Sequence, residues 1–147
     1  MKGEGQQARD AMEKLRAKML ALNRPARVLV IEDSDPDYWL LCDAILKQSP
    51  KTELRQARDF DEAVKSVEIN KWDLIFLDLI LPRGRSGIDV LRYAKSFNYP
   101  APFVVITGMA ESNELLSEAL REGASAVCSK ERESLSKTVK LLFEQIK

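Results

Sequence analysis

Five polar side chains in this sequence stand just after short apolar-rich runs: Glu32 and Asp33 after Val28 to Ile31, Asp78 after Ile75 to Leu77, Thr107 after Val104 to Ile106, and Lys130 after Val127 to Ser129. Each alone has an ordinary reading. An acidic pair ending a strand is commonly a helix cap or turn, and a lone threonine or lysine is commonly a surface residue. Asp78 is harder to excuse, because a carboxylate ending an apolar run is costly to bury without a partner. Three carboxylates brought together repel one another unless a cation sits among them, and hard oxygen ligands suit Mg2+ or Mn2+. Mg2+ usually takes one or two carboxylates and leaves room for a phosphate oxygen, which points to phosphoryl transfer. In that chemistry Asp78 is the nucleophile that becomes an acyl phosphate, while the metal, the Lys130 ammonium and the Thr107 hydroxyl neutralise the phosphoryl oxygens. The sequence contains no histidine, which removes histidine triads, His-based acid/base catalysis and His-ligated metals.

Composition narrows the partners. Among 147 residues, 23 basic side chains balance 23 acidic ones, so the reading predicts no direct nucleic-acid contact. The longest apolar runs, such as Leu74 to Leu77 and Leu79 to Leu81, fall far short of the ~20 residues of a membrane span. The amino terminus mixes Glu4, Asp10 and Glu13 with its bases and lacks a signal peptide's apolar centre. The expectation is a cytoplasmic protein without membrane insertion. Cys42 and Cys128 have no framework or ligand spacing and read as free thiols.

The elements that must position the five residues follow from pattern. From Arg27 onward, short β-rich runs alternate with longer amphipathic stretches, the signature of βαβ units and a parallel sheet. The predicted strands are Arg27 to Ile31, Glu53 to Ala57, Leu74 to Leu77, Phe103 to Thr107 and Ala126 to Cys128. The predicted helices are Pro36 to Lys47, Asp61 to Glu68, Ile88 to Phe97, Ser112 to Arg121 and Leu135 to Ile146. Ser34 and Ser112 read as caps, and Gly123 as the left-handed residue closing the fourth of these helices. Right-handed crossovers then give a doubly wound α/β sandwich of three layers, in which four of the five strands deliver polar groups to one edge, where such sheets bind ligands. Tyr38 and Trp39 are expected to pack against the sheet or a partner. Asp35 and Asp37 read as first-turn acids, with Asp35 close enough to the acidic pair to modulate a metal.

Residues 1–25 read separately, as an amphipathic helix and linker before a domain over 26–147. Ala8, Met12, Leu15, Met19 and Leu22 form a short heptad seam, which must dock on something: its own domain, a second copy in a homodimer, or an upstream module. Pro25 is expected to end this helix.

The pieces Val28-Leu29-Val30-Ile31-Glu32-Asp33, Leu77-Asp78-Leu79-Ile80-Leu81-Pro82, Val105-Ile106-Thr107-Gly108 and Gly123-Ala124 followed by Lys130 resemble, in order and spacing, the response-regulator receiver domains of two-component phosphorelays. The resemblance covers 27–147. It implies a five-stranded flavodoxin-like fold with Asp78 as phosphoacceptor. Glu32, Asp33, Asp78 and the main-chain carbonyl of Ile80 would hold Mg2+ (or Mn2+), and Thr107, Gly108 and Lys130 would bind phosphate and switch. It further implies a phosphohistidine donor on a histidine kinase or histidine phosphotransfer protein, and a downstream protein target meeting the domain's fourth helix, fifth strand and fifth helix. Three departures stand out. Val127 occupies a position often aromatic in the family. Glu131 follows Lys130 where a proline, often cis, is common, so a trans bond or a shifted loop is expected. The loop Pro82 to Gly87 is one residue longer than usual, with Arg83 and Arg85 read as solvated charges or partner contacts. Two other functions compete: a receiver-like adaptor that is never phosphorylated, and a haloacid-dehalogenase-like phosphatase. The latter needs a second Asp two residues past the nucleophile, where this sequence has Ile80. The expectation is therefore a signalling domain that is not an enzyme, with slow loss of phosphate.

Overall fold

In the computed structural model, the structure describes residues 4–108 and 112–144. The elements run α1 (Glu4–Leu20), β1 (Arg27–Ile31), α2 (Asp35–Gln48), β2 (Glu53–Ala57), α3 (Phe60–Ile69), β3 (Leu74–Asp78), α4 (Gly87–Ser96), β4 (Phe103–Thr107), α5 (Asn113–Arg121), β5 (Ala126–Ser129) and α6 (Arg132–Phe143). The strands form one parallel sheet in the order β2-β1-β3-β4-β5, so the chain reverses direction across the sheet between β1 and β3. That is where open α/β sheets bind ligands. β3 and β4 are buried at every position, as strands covered on both faces must be, whereas the edge strand β2 alternates.

Local chemistry sets the helix starts. Ser34 accepts the Asp37 amide to cap α2, with Pro36 in its first turn. Asp59 caps α3 through the Glu62 amide at 2.8 Å. At α4, Ser86 Oγ accepts from the Ile88 amide while Asp89 accepts from the Ser86 amide, both at 3.1 Å. Ser112 caps α5, and Gly123, at φ +108°, closes it in the left-handed region. The expected strands and helices match within a few residues, β3 and β5 each running one residue further. α6 begins three residues earlier than expected, at Arg132, and the expected end at Ile146 lies outside the described residues.

Two apolar layers fill the sandwich. One, under α3, α4 and α5, contains Leu29, Ile31, Ile75, Leu77, Phe103 and Val105. The other, under α2 and α6, contains Val28, Val30, Phe76, Ile106, Cys128 and Phe143. Most of the heptad seam belongs to this second layer: Met19 is fully buried, Leu15 nearly so, and Met12 and, just past the end of α1, Leu22 pack against the layer, while Ala8 is exposed. Within this chain the seam packs on its own domain. Arg16 Nη1 also donates to the Leu141 carbonyl at 2.6 Å, placing a cation at the carboxyl end of α6. The helix ends at Leu20, earlier than Pro25 required. Pro25 instead lies in the extended linker, and Arg24 beside it grips Asp73 with two hydrogen bonds.

Other expectations meet mixed outcomes. Trp39 does not pack against the sheet; it is 69% exposed on α2, while Tyr38 is half-buried against the α2 and α6 layer. Arg83 and Arg85 are not simply solvated, because Arg83 pairs with Asp59 and the Arg85 guanidinium lies 3.8 Å from the centre of the Phe60 ring. Arg83 and Gly84 both take positive φ in this loop. The peptide bond after Lys130 is trans, as every bond is among the described residues. Cys42 and Cys128 are free.

Candidate functional site

Strand alternation decides which side chains meet. Val30, Phe76 and Cys128 face the α2 and α6 layer, so the residues two further on, Glu32, Asp78 and Lys130, point to the same side at the carboxyl edge. Ile31 and Leu77 are register partners on adjacent strands, which brings Glu32 and Asp78 side by side. Lys130 extends the β4 and β5 ladder, its amide donating to the Thr107 carbonyl at 2.8 Å. Its ammonium then reaches across the edge to Glu32 Oε1 at 2.6 Å and Asp78 Oδ2 at 2.9 Å.

Asp78 is 4% exposed and Glu32 fully buried, whereas Asp33 opens to solvent. Asp78 Oδ1 accepts the Ile80 amide at 3.0 Å, and Glu32 Oε2 accepts the Ser34 amide at 3.1 Å. Burial, only partly offset by Lys130 and reinforced by the Asp78 charge, pushes the Glu32 carboxyl up to about 7. Burial alone would lower the Lys130 ammonium, but Glu32 and Asp78 outweigh it and hold that group above its ordinary range.

The donor set fits a hard divalent cation. Glu32, Asp33 and Asp78 each offer a carboxylate oxygen within 4.8 Å of the others. Glu32 Oε1 is buried without a hydrogen bond, its contact with Lys130 being an off-line ion pair. A buried acceptor that has an ion pair but no hydrogen bond, beside two further carboxylates, is what oxygen-ligand chemistry would satisfy.

The other expected residues are distributed less simply. Thr107 is 8% exposed, but alternation sets it with Val105 on the opposite side from Lys130, and its hydroxyl donates to the Gly108 carbonyl at 2.8 Å. The side chain of Ile80 stands 59% exposed at the rim. Val127 is 36% exposed on β5. Asp35 turns away from the acidic pair, accepting from Gln56 Nε2 at 3.1 Å and Arg58 Nη1 at 2.5 Å, and those two partners hold its carboxyl below the usual range. Its tie to the site is indirect, since Gln56 also donates to the Glu32 carbonyl at 3.0 Å.

Two participants were given no role at the site from sequence. Asp37, on the first turn of α2, places Oδ2 3.1 Å from Lys130 Nζ. Gly87 lies behind the site: a Cβ there would come within 2.6 Å of the Asp78 carbonyl oxygen and 2.9 Å of Leu79 Cα. Only a residue without a side chain lets α4 begin so close to the end of β3. A signal for Asp37 was present, since the alternation that turns Lys130 toward α2 also turns it toward the first turn of that helix.

A family model described as the response regulator receiver domain matches residues 28–140. A protein-glutamate methylesterase/protein-glutamine glutaminase of Pyrococcus horikoshii is 32% identical over 130 residues, covering 87% of this chain and 34% of that protein. The chain spans about a third of the length of such curated relatives. Among solved structures, the phosphorylated cyanobacterial phytochrome response regulator RcpA superposes with a TM-score of 0.71 at 23% identity, covering 80% of this chain and 90% of that one. A response regulator of Burkholderia pseudomallei, solved with a phosphorylated aspartic acid, calcium ion and citrate, gives a TM-score of 0.67 at 24% identity, covering 80% and 66%. Fold, strand-edge geometry and the match across most of its length agree: this chain belongs to the response regulator receiver domains, the signalling modules of two-component systems.

Proposed function

We propose that this chain is a phosphoacceptor that takes a phosphoryl group from a phosphohistidine on a kinase or phosphotransfer protein onto Asp78, and that the acyl phosphate switches a protein-interaction surface. The observation that carries the reading is Asp78 itself: a buried carboxylate at the carboxyl end of the central strand, 2.9 Å from a lysine ammonium and inside a three-carboxylate cluster. Glu32, Asp33, Asp78 and the Ile80 carbonyl would hold Mg2+. Bound there, the cation would relieve carboxylate repulsion and draw charge from the phosphoryl oxygens.

In the transfer, an Asp78 carboxylate oxygen forms the bond to phosphorus as the phosphorus–nitrogen bond of the donor breaks, its electron pair returning to the imidazole. Lys130 meets a phosphoryl oxygen as charge spreads over the equatorial positions. For Thr107 to do the same, its hydroxyl must leave the Gly108 carbonyl, and this exchange of partners is the switching step in our reading. The surface responding to it comprises α5, β5 and α6, where Leu120, Val127 and Leu141 are exposed. Ile80, two residues past the nucleophile, has no group to orient water, which favours a long-lived acyl phosphate.

Incubation with acetyl phosphate and Mg2+ followed by intact-mass measurement tests the reading. One added phosphoryl group is expected on the wild type and none on Asp78→Asn. An unmodified wild type would favour the adaptor reading, and a modified Asp78→Asn would move the acceptor elsewhere.

A further inference from the structure

The Lys130 ammonium has three donors and faces three carboxylates: Glu32 Oε1 at 2.6 Å, Asp78 Oδ2 at 2.9 Å and Asp37 Oδ2 at 3.1 Å. A phosphoryl oxygen arriving on Asp78 competes for Nζ with the carboxylates that accept its hydrogen bonds, Asp78 and Asp37, the Glu32 contact being an off-line ion pair. The three are not equally held. Glu32 is fully buried and its second oxygen is fixed by the Ser34 amide. Asp78 is held by the Ile80 amide and itself carries the incoming group. Asp37 makes the longest of the three contacts, and its side chain is 43% exposed, so water can take over its solvation when it lets go. It is the partner that yields at least cost.

We propose that Asp37 is a positioning residue: in the unphosphorylated protein its carboxylate takes a place on the Lys130 ammonium that a phosphoryl oxygen on Asp78 would take, and it competes with that oxygen for the donor. This rests on the phosphoacceptor reading and adds a built-in opponent to it. The same contact keeps the lysine aimed across the sheet edge before the anion arrives. Asp35 provides an internal comparison, because it carries the same charge on the same helical turn but spends it on Gln56 and Arg58.

The test is the affinity of the full chain for beryllofluoride, a phosphoryl mimic, measured by calorimetry in saturating Mg2+. Asp37→Asn is expected to bind roughly two- to fivefold more tightly than wild type, the effect of releasing one partly exposed ion pair. Asp35→Asn is expected to stay at the wild-type value. Asp37→Ala, measured in parallel, should repeat the gain, so that neither a hydrogen bond kept by the amide nor poor folding of one variant hides it. Unchanged or weaker binding in both Asp37 variants overturns the inference while wild-type binding upholds the acceptor site. Equal tightening in Asp35→Asn reduces the effect to general charge and also overturns it. Absence of binding to the wild type overturns the inference and the acceptor reading together.

Discussion

β3 carries a buried carboxylate near each end, and their surroundings separate a structural role from a chemical one. Asp73, just before the strand, has both oxygens engaged: Arg24 donates to Oδ2 and Oδ1 at 2.8 and 2.9 Å, and the Arg27 amide donates to Oδ2 at 2.8 Å. Burial by itself would raise its pKa, but these donors overcome that and hold it below the ordinary carboxylate range. Asp78, by contrast, shares its lysine with two other acids. An acid whose pKa is depressed on folding adds stability above its unfolded pKa of about 3.9 and loses it as pH falls through the folded value. Asp73→Asn should therefore cost about 1.5–3 kcal/mol near neutral pH, the range for charge-assisted hydrogen bonds. In urea unfolding the gap from wild type should narrow below about pH 4. A gap that stays constant through this window would mean that the charge on Asp73 is not what stabilises the linker.

At the scale of elements, α1 is the part whose role is least general. Its seam is too short to stand alone, and it is stabilised by laying Leu15 and Met19 into the layer under α2 and α6. A homodimer formed through these same residues would first have to lift the helix from its own domain. Met19 is fully buried, so Met19→Ala should destabilise the whole domain by about 2–5 kcal/mol in a single unfolding transition. A loss below about 1 kcal/mol, less than burial of such a side chain is worth, or a separate early transition, would show that α1 is an appendage. Because α1 lies against α6, it also borders the surface proposed to respond to phosphate.

For the whole molecule, net charge is zero, yet the carboxyl edge of the sheet gathers Glu32, Asp37 and Asp78 around one lysine, with Asp33 beside Glu32 and Asp78. Local excess of negative charge at a neutral protein's binding edge makes stability sensitive to divalent cations. Mg2+ at ten times its dissociation constant should stabilise the fold by roughly 1.4 kcal/mol, raising Tm by roughly 3–6 °C for a chain of this size. Asp33→Asn, which changes the exposed member of the proposed metal cluster rather than a buried one, should remove most of that rise. A wild-type Tm indifferent to Mg2+ would count against a metal site at Glu32, Asp33 and Asp78.

Much of this protein is written in short-range pattern. Apolar runs of four or five residues, each ending in or followed by a polar one, locate β1, β3 and β4 and their carboxyl ends because a strand covered on both faces tolerates almost nothing else. Glu32, Asp78 and Lys130 were legible for the same reason, since a period of two fixes the face each occupies once its strand is known. What pattern leaves open is the relation between elements distant along the chain. The rotation of α2 decides that Asp37, rather than Asp35, meets Lys130. The folding of the Pro82 to Gly87 loop against α3 decides that Arg83 finds Asp59. The close approach of α4 to β3 decides that position 87 must be glycine, and the packing of α1 on α6 decides which seam residues are buried. Periodicity reports which side of an element is apolar; distances between side chains from different elements depend on how the layers pack, and that is a property of the assembled core.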